Sequence, residues 1–136
     1  MAFIGPSEDK MAIRELYGCY ADASMRGDLE EWLACWAEDC RWDSHVFNRS
    51  GKADLREQWN ALWVNFDKVA FLGEVTAIEI DGPEAIGRSA TQETIRLTNG
   101  GVYKLVGRYE DRLVRVNGKW LFSRRDYHVV AEDLPK

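Results

Sequence analysis

The chain has 136 residues, a formal net charge of −5, 46% hydrophobic and 30% charged residues. That length suits one domain over 1–136 and is enough to bury a core without disulfides or metal. The acidic balance, with basic residues scattered along the chain, excludes a nucleic-acid surface, which needs clustered Lys and Arg against phosphates. Cys19, Cys35 and Cys40 cannot all pair within the chain, no CxxC occurs, and both histidines lie outside any ligand spacing. The expectation is therefore reduced thiols in a cytoplasm and no metal site. "MAFIGPSEDK" has neither a basic start nor a long apolar run, so no secretion signal and no membrane segment are expected.

In chain order, the first half reads helical. Ser7 is placed to cap a helix in which Ile13, Leu16, Tyr17 and Tyr20 recur at i, i+3, i+4 and i+7. Gly27 ends it. Asp28 caps a second helix, where Leu29, Trp32, Leu33 and Trp36 repeat that spacing. "CRWDSHVF" reads as a short strand and "NRSG" as a break. A third helix then carries Leu55, Trp59, Leu62, Trp63 and Phe66 on one face.

Past residue 72 the period changes. "GEVTAIEI", "AIGRSATQETIRL", "VYKLVGRYEDRLVRV" and "KWLFSRRDYHVV" read as strands, with "DGPE", "NGG" and "NG" as hairpin turns between them. The last three should form an antiparallel meander. Helices first and strands later predict an α+β fold with the helices on one face of the sheet. The aromatic content is high: six Trp, five Tyr and five Phe. Trp59 and Trp120 fall at core positions. Trp42, Trp63, Phe66, Phe71, Tyr103 and Met25 are candidates to surround a flat apolar ligand, whose burial alone would drive binding.

Four stretches, "AIRELYGCYADASMRGDLEEWLACWAEDCRW", "GKADLREQW", "FLGEVTAIEIDGPEA" and "GRYEDRLVRVNGKWLFSRRD", in this order resemble the SnoaL-like branch of the nuclear-transport-factor-2-like superfamily. The resemblance runs from about Ala12 to Val130. It implies a cone: a strongly curved, mostly antiparallel sheet wrapped around about three N-terminal helices, with an apolar pocket inside. It also implies a homodimer or homotrimer. The superfamily holds ketosteroid isomerase, scytalone dehydratase, polyketide cyclases and proteins that only bind, so fold does not choose the function.

In the dehydratase relatives, an aspartate at the end of the first helix orients a strand histidine that removes a proton. On this chain the aspartate position falls on Met25 and the histidine position on Ala70, neither of which transfers protons. Tyr20 matches the tyrosine that polarises the substrate oxygen in ketosteroid isomerase. Arg125 matches an arginine of the dehydrochlorinase pocket. The isomerase's general-base position falls on Ser44, so neighbouring Asp43 serves only if a bulge turns it inward. His45 lies two residues on, in a loop. His128 lies two residues from Asp126 on one strand face and offers a substitute pair. Plainer alternatives stand beside each: Tyr20 as a core tyrosine, Arg125 in a structural ion pair, Asp43, Asp22 and the Asp126–His128 pair as surface groups, the cysteines as small core residues.

No phosphate loop, dinucleotide fingerprint or metal motif occurs, so no cofactor is expected. The sequence thus points to a cofactor-independent dehydratase, isomerase or cyclase acting on a cyclic apolar hydroxy- or keto-substrate. Tyr20 would polarise an oxygen, Arg125 would hold an anionic or leaving group, and His128, His45 or Asp43 would move the proton. The alternatives are a non-catalytic binder of an apolar cyclic ligand, or a small structural subunit of a larger enzyme.

Overall fold

A computed structural model describes residues 2–135. Its elements run β1 (Phe3–Ile4), α1 (Ser7–Arg26), α2 (Leu29–Ala34), β2 (Trp36–Asp43), β3 (Asn48–Ser50), α3 (Lys52–Trp63), β4 (Phe66–Asp81), β5 (Glu84–Leu97), β6 (Val102–Val116) and β7 (Lys119–Asp133). The strands form one curved, unclosed sheet of order β1-β4-β5-β6-β7-β2-β3. β4 to β7 are an antiparallel meander, while β1 on β4 and β2 on β7 pair in parallel. The α+β cone expected from the sequence is the architecture found. No helix of the described residues is long and apolar enough to cross a membrane.

The helix ends follow local chemistry. Ser7 is the first helical residue, and Pro6 is the N-cap with no side-chain bond; Glu8 and Asp9 in the first turn offset the helix dipole instead. Gly27 closes α1 at φ 65°, a left-handed conformation that glycine adopts without Cβ strain. The Asp28 side chain then accepts from the Glu31 N–H at 3.1 Å and caps α2.

Two aromatic residues leave the helices where the sequence placed them. Trp36 opens β2 instead of continuing α2, and Phe66 opens β4 instead of ending α3. For Trp36 the reason is the sheet: Phe122 N–H donates to the Cys35 carbonyl at 2.8 Å, and Trp36 pairs with Phe122 in the parallel β2–β7 ladder. Helix and strand both bury the ring, so helical spacing could not tell them apart. Trp36 has no exposed surface, and its ring lies 5.6 Å from Trp32 and 6.2 Å from Trp42. Trp59 adds to this cluster at 4.8 Å from Trp32, and Trp120 is buried as its position predicted. Cys35 and Cys40 are buried, whereas Cys19 is exposed and is not a core residue.

Candidate functional site

At one end of the strands, where the β5–β6 hairpin, the β2–β3 loop and the end of α3 meet, the cone opens into a cavity of about 230 Å³. Trp42 and Phe47, ring centroids 4.7 Å apart, form one wall; Leu62 and Phe66 form a second. Glu93 and Ile95 of β5, Tyr103 and Tyr109 of β6, and Tyr127 of β7 form the third. Tyr127 can lie across β6 because Gly107, diagonal to it on that strand, carries no side chain: a Cβ there would collide with the Tyr127 hydroxyl.

Glu93 is the acid of this cavity. Burial raises its pKa from the usual 4.5 to about 7, with the Tyr127 hydrogen bond and the Arg125 charge opposing the rise. The Tyr127 hydroxyl donates to Glu93 Oε2 at 3.5 Å, the long limit of a hydrogen bond. Tyr103 donates instead to Glu132 Oε2, and burial followed by that carboxylate raises its pKa. A carboxyl poised near neutrality among aromatic rings is the arrangement suited to general acid or base work. Sequence reasoning passed over Glu93, yet the signal was present. On β5 the buried positions alternate as Ala85, Gly87, Ser89, Thr91 and Ile95, and Glu93 is the acid in that inward row.

A second cavity, of about 240 Å³, lies between α1 and strands β4 and β5. Tyr17, Gly18 and Tyr20 of α1 line it, with Phe71 and Gly73 of β4, Ser89 and Thr91 of β5, and Arg125. Arg125 is 1% exposed. Its Nε and Nη2 donate to Asp111 Oδ1 and Oδ2 at 2.9 and 3.1 Å, and Nη2 also reaches Ser89 Oγ at 3.3 Å. The guanidinium carbon lies 3.7 Å from the Tyr109 ring centroid and 4.4 Å from that of Tyr20. Burial pushes the Asp111 carboxyl up while Arg125 pulls it down; burial also works against the guanidinium charge, but Asp111 together with Tyr20, Tyr109 and Tyr17 outweighs it and Arg125 stays charged. Tyr17 completes the network by donating to Asp111. Burial raises the Tyr20 hydroxyl pKa against the Arg125 charge.

The residues expected to act together are therefore divided. Trp42, His45, Phe66 and Tyr103 line the mouth cavity; Tyr20, Phe71 and Arg125 line the side cavity. Trp63 lines neither. It stacks on Trp59 at 5.4 Å and covers Gly27. Met25 is 42% exposed at the end of α1. Ala70 faces out of β4, and the next residue, Phe71, faces in, the one-residue alternation of a strand. Asp43 also points away from the mouth. β2 shows no bulge between Trp42 and Asp43, and Asp43 Oδ2 accepts from Arg41 at 2.7 Å and pairs with Arg124 at 3.4 Å. The Asp126–His128 pair does not form: Asp126 is held by Arg124 at 3.0 Å, and His128 lies 3.9 Å from Glu110. Asp43, His45, Asp126 and His128 meet only along an outer depression beside the mouth. Asp22 is a surface acid paired with Arg26.

A wider depression, about 940 Å³, lies at the opposite end of the strands, between carboxylates such as Glu38, Asp81 and Glu84 and the cations Lys52 and Arg112. It is a wide surface groove, its charged residues interleaved with Ile86, Leu113, Val114 and Leu121, with no buried titratable group. No cluster of three or more His, Cys, Asp or Glu side chains suited to a metal occurs among the described residues.

The SnoaL-like domain family matches residues 6–126. A comparison with curated proteins finds no significant match. Among solved structures, the chain is similar to a protein of Novosphingobium aromaticivorans provisionally assigned as a scytalone dehydratase. The two share 23% identity and a TM-score of 0.86, over 92% of this chain and 86% of that one. A second protein of that organism, provisionally assigned as an aromatic ring hydroxylase, shares 22% identity and a TM-score of 0.87 over 98% and 96%. The hexachlorocyclohexane dehydrochlorinase LinA-type3 of Novosphingobium barchaimii shares 16% identity and a TM-score of 0.83 over 95% and 90%. Those identities speak for fold alone; the family match extends over most of the sequence, and the chain belongs to the SnoaL-like domain family.

Proposed function

We propose that the chain is a cofactor-independent proton-transfer enzyme, a dehydratase or isomerase in type, acting on a small cyclic hydroxy- or keto-compound held in the mouth cavity. The observation that carries this reading is Glu93: a carboxyl raised to about 7 by burial, among aromatic walls, with a tyrosine hydroxyl on its Oε2. It supplies the titratable group that Met25 and Ala70 cannot. As carboxylate, Glu93 takes a proton from the carbon beside the substrate's carbonyl or leaving group. As carboxylic acid, it returns that proton to a neighbouring carbon or to the departing oxygen. Tyr127 steadies the charged form, and the surrounding rings exclude water. Two structural neighbours are named for elimination reactions, a dehydratase and a dehydrochlorinase, which supports the same class of step. At about 230 Å³ the cavity is smaller than the usual ~300–1,000 Å³ of drug-sized ligand pockets, which favours one or two rings over a steroid.

A second reading, binding without chemistry, is favoured by the exposed placement of Met25 and Ala70, which leaves no Asp–His dyad in either cavity. A thermal-shift panel of phenols, quinones, cyclic ketones and halogenated rings identifies a ligand, because binding to the folded state raises its melting temperature. With that compound, Glu93→Gln is expected to lower kcat by about 10²–10⁴-fold with little change in KM. For proton abstraction, wild-type kcat should rise with pH through about 7. Equal melting shifts in wild type and variant, with turnover in neither, would assign the binding reading.

A further inference from the structure

We propose that the open edge of β4, residues 68–75, is an interface that pairs in antiparallel with the same segment of a second copy of this chain. β4 has a strand on its outer side only where it meets β1, at Ile78 and Glu79. Residues 66–76 ladder with β5 alone, and among the described residues no other backbone segment bonds to them. The opposite edge of the sheet is blunted by β3, which is three residues long. The β4 edge has no such protection. Residues 68–75 keep an unbroken register on β5, with no bulge and no proline. Their only charged side chains, Lys68 and Glu74, flank the run "VAFLG". An extended edge that is uncharged at its centre is a template for another strand.

Charge and length select a second copy as the occupant. Lys68, Ala70, Leu72 and Glu74 are exposed on the outer face of the strand, Leu72 at 63%. Among the described residues neither Lys68 nor Glu74 enters an ion pair. Lys68 stands opposite Arg96 of β5, a like charge that Asp67 already holds. Facing side chains in a ladder share a sheet face, so a two-fold axis between two β4 strands passes through a residue. With that axis at Phe71, Lys68 faces the partner's Glu74 and Leu72 faces the partner's Ala70, each twice by symmetry. The ends fit as well. Phe66 then faces the partner's Thr76, two positions short of Ile78, where β1 takes the edge. An axis at Leu72 would drive Phe66 into the place of β1, and an axis at Ala70 would set Lys68 against Leu72.

This interface is independent of the mouth cavity. Sedimentation equilibrium over a range of protein concentrations tests it. The wild type is expected to form a reversible dimer that salt weakens. Lys68→Glu and Glu74→Lys each set like charges opposite one another and should raise the dissociation constant at least about tenfold. The double variant Lys68→Glu/Glu74→Lys should restore the dimer. Lys104→Glu makes the same charge change on an exposed position of β6 and should leave the constant unaltered. All three positions carry exposed side chains, so the variants fold as the wild type does. Amide exchange at residues 68–75 should slow as the dimer forms, which locates the contact. A monomer at every concentration, a dimer indifferent to both single changes, or a double variant no tighter than the single ones would overturn the proposal. The first would leave the edge to a strand of a different protein; the second would put the interface elsewhere on the molecule. None of these outcomes bears on Glu93, whose role is read from turnover.

Discussion

At the scale of single residues, Arg125 is the most constrained side chain of the interior. A charge at 1% exposure persists only because Asp111 meets it with two hydrogen bonds and Tyr109 and Tyr20 cover its faces. Arg125→Leu strands the Asp111 carboxyl, which has no exposed side-chain surface. That variant is expected to lose about 3–5 kcal/mol in urea unfolding. The double variant Arg125→Leu/Asp111→Leu should recover much of the loss, because no buried charge remains. The sequence identified Arg125 as an interior candidate and left a structural ion pair open. Asp111 was invisible as its partner, because that meeting depends on the β6–β7 register, Asp111 opposite Arg125.

At the scale of elements, the α1–α2 corner was legible almost residue by residue. "RGD" encodes a left-handed stop and a cap within three positions, and both form locally. α2 has only six residues and little propensity to stand alone, so its cap carries weight. Asp28→Ala is expected to cost about 0.5–2 kcal/mol, read as a lower urea midpoint with an unchanged slope. The element missed was the start of β2. Trp36 keeps helical spacing with Trp32, but a ladder bond from β7, some ninety residues on, pulls it into the sheet. No local pattern carries that information. Strand alternation, by contrast, was readable. It explains why Ala70 and His128 face outward while Phe71 and Tyr127 face in, and it marks Glu93 as inward.

For the whole molecule, Glu93 couples stability to pH. Its carboxyl titrates at about 7 when folded and near 4.5 when unfolded. Between those values the folded state holds a proton that the unfolded chain has released, so stability falls as pH rises through that window. The effect is on the order of 2–3 kcal/mol. Exposed Asp54 and Glu30, whose pKa values are lowered by hydrogen bonds, work in the opposite sense, so the measurement is the wild type minus Glu93→Gln. The variant should gain stability relative to the wild type as pH rises from about 5 to about 8. A difference independent of pH would mean that Glu93 is not held at a raised pKa.

Much of this protein was written along the chain itself. Helical spacing in the first half, alternation in the second, and turn residues between the strands are properties of neighbours, so α+β order, the meander and the family resemblance followed from sequence alone. What the interior does with its polar groups was decided only by tertiary structure. Two cavities rather than one, Arg125 locked to Asp111 beside the side cavity, and Glu93 desolvated at the mouth all arise where strands far apart in sequence are brought into register. Burial and long-range pairing set those charges, and neither is a local property of the residues that carry them.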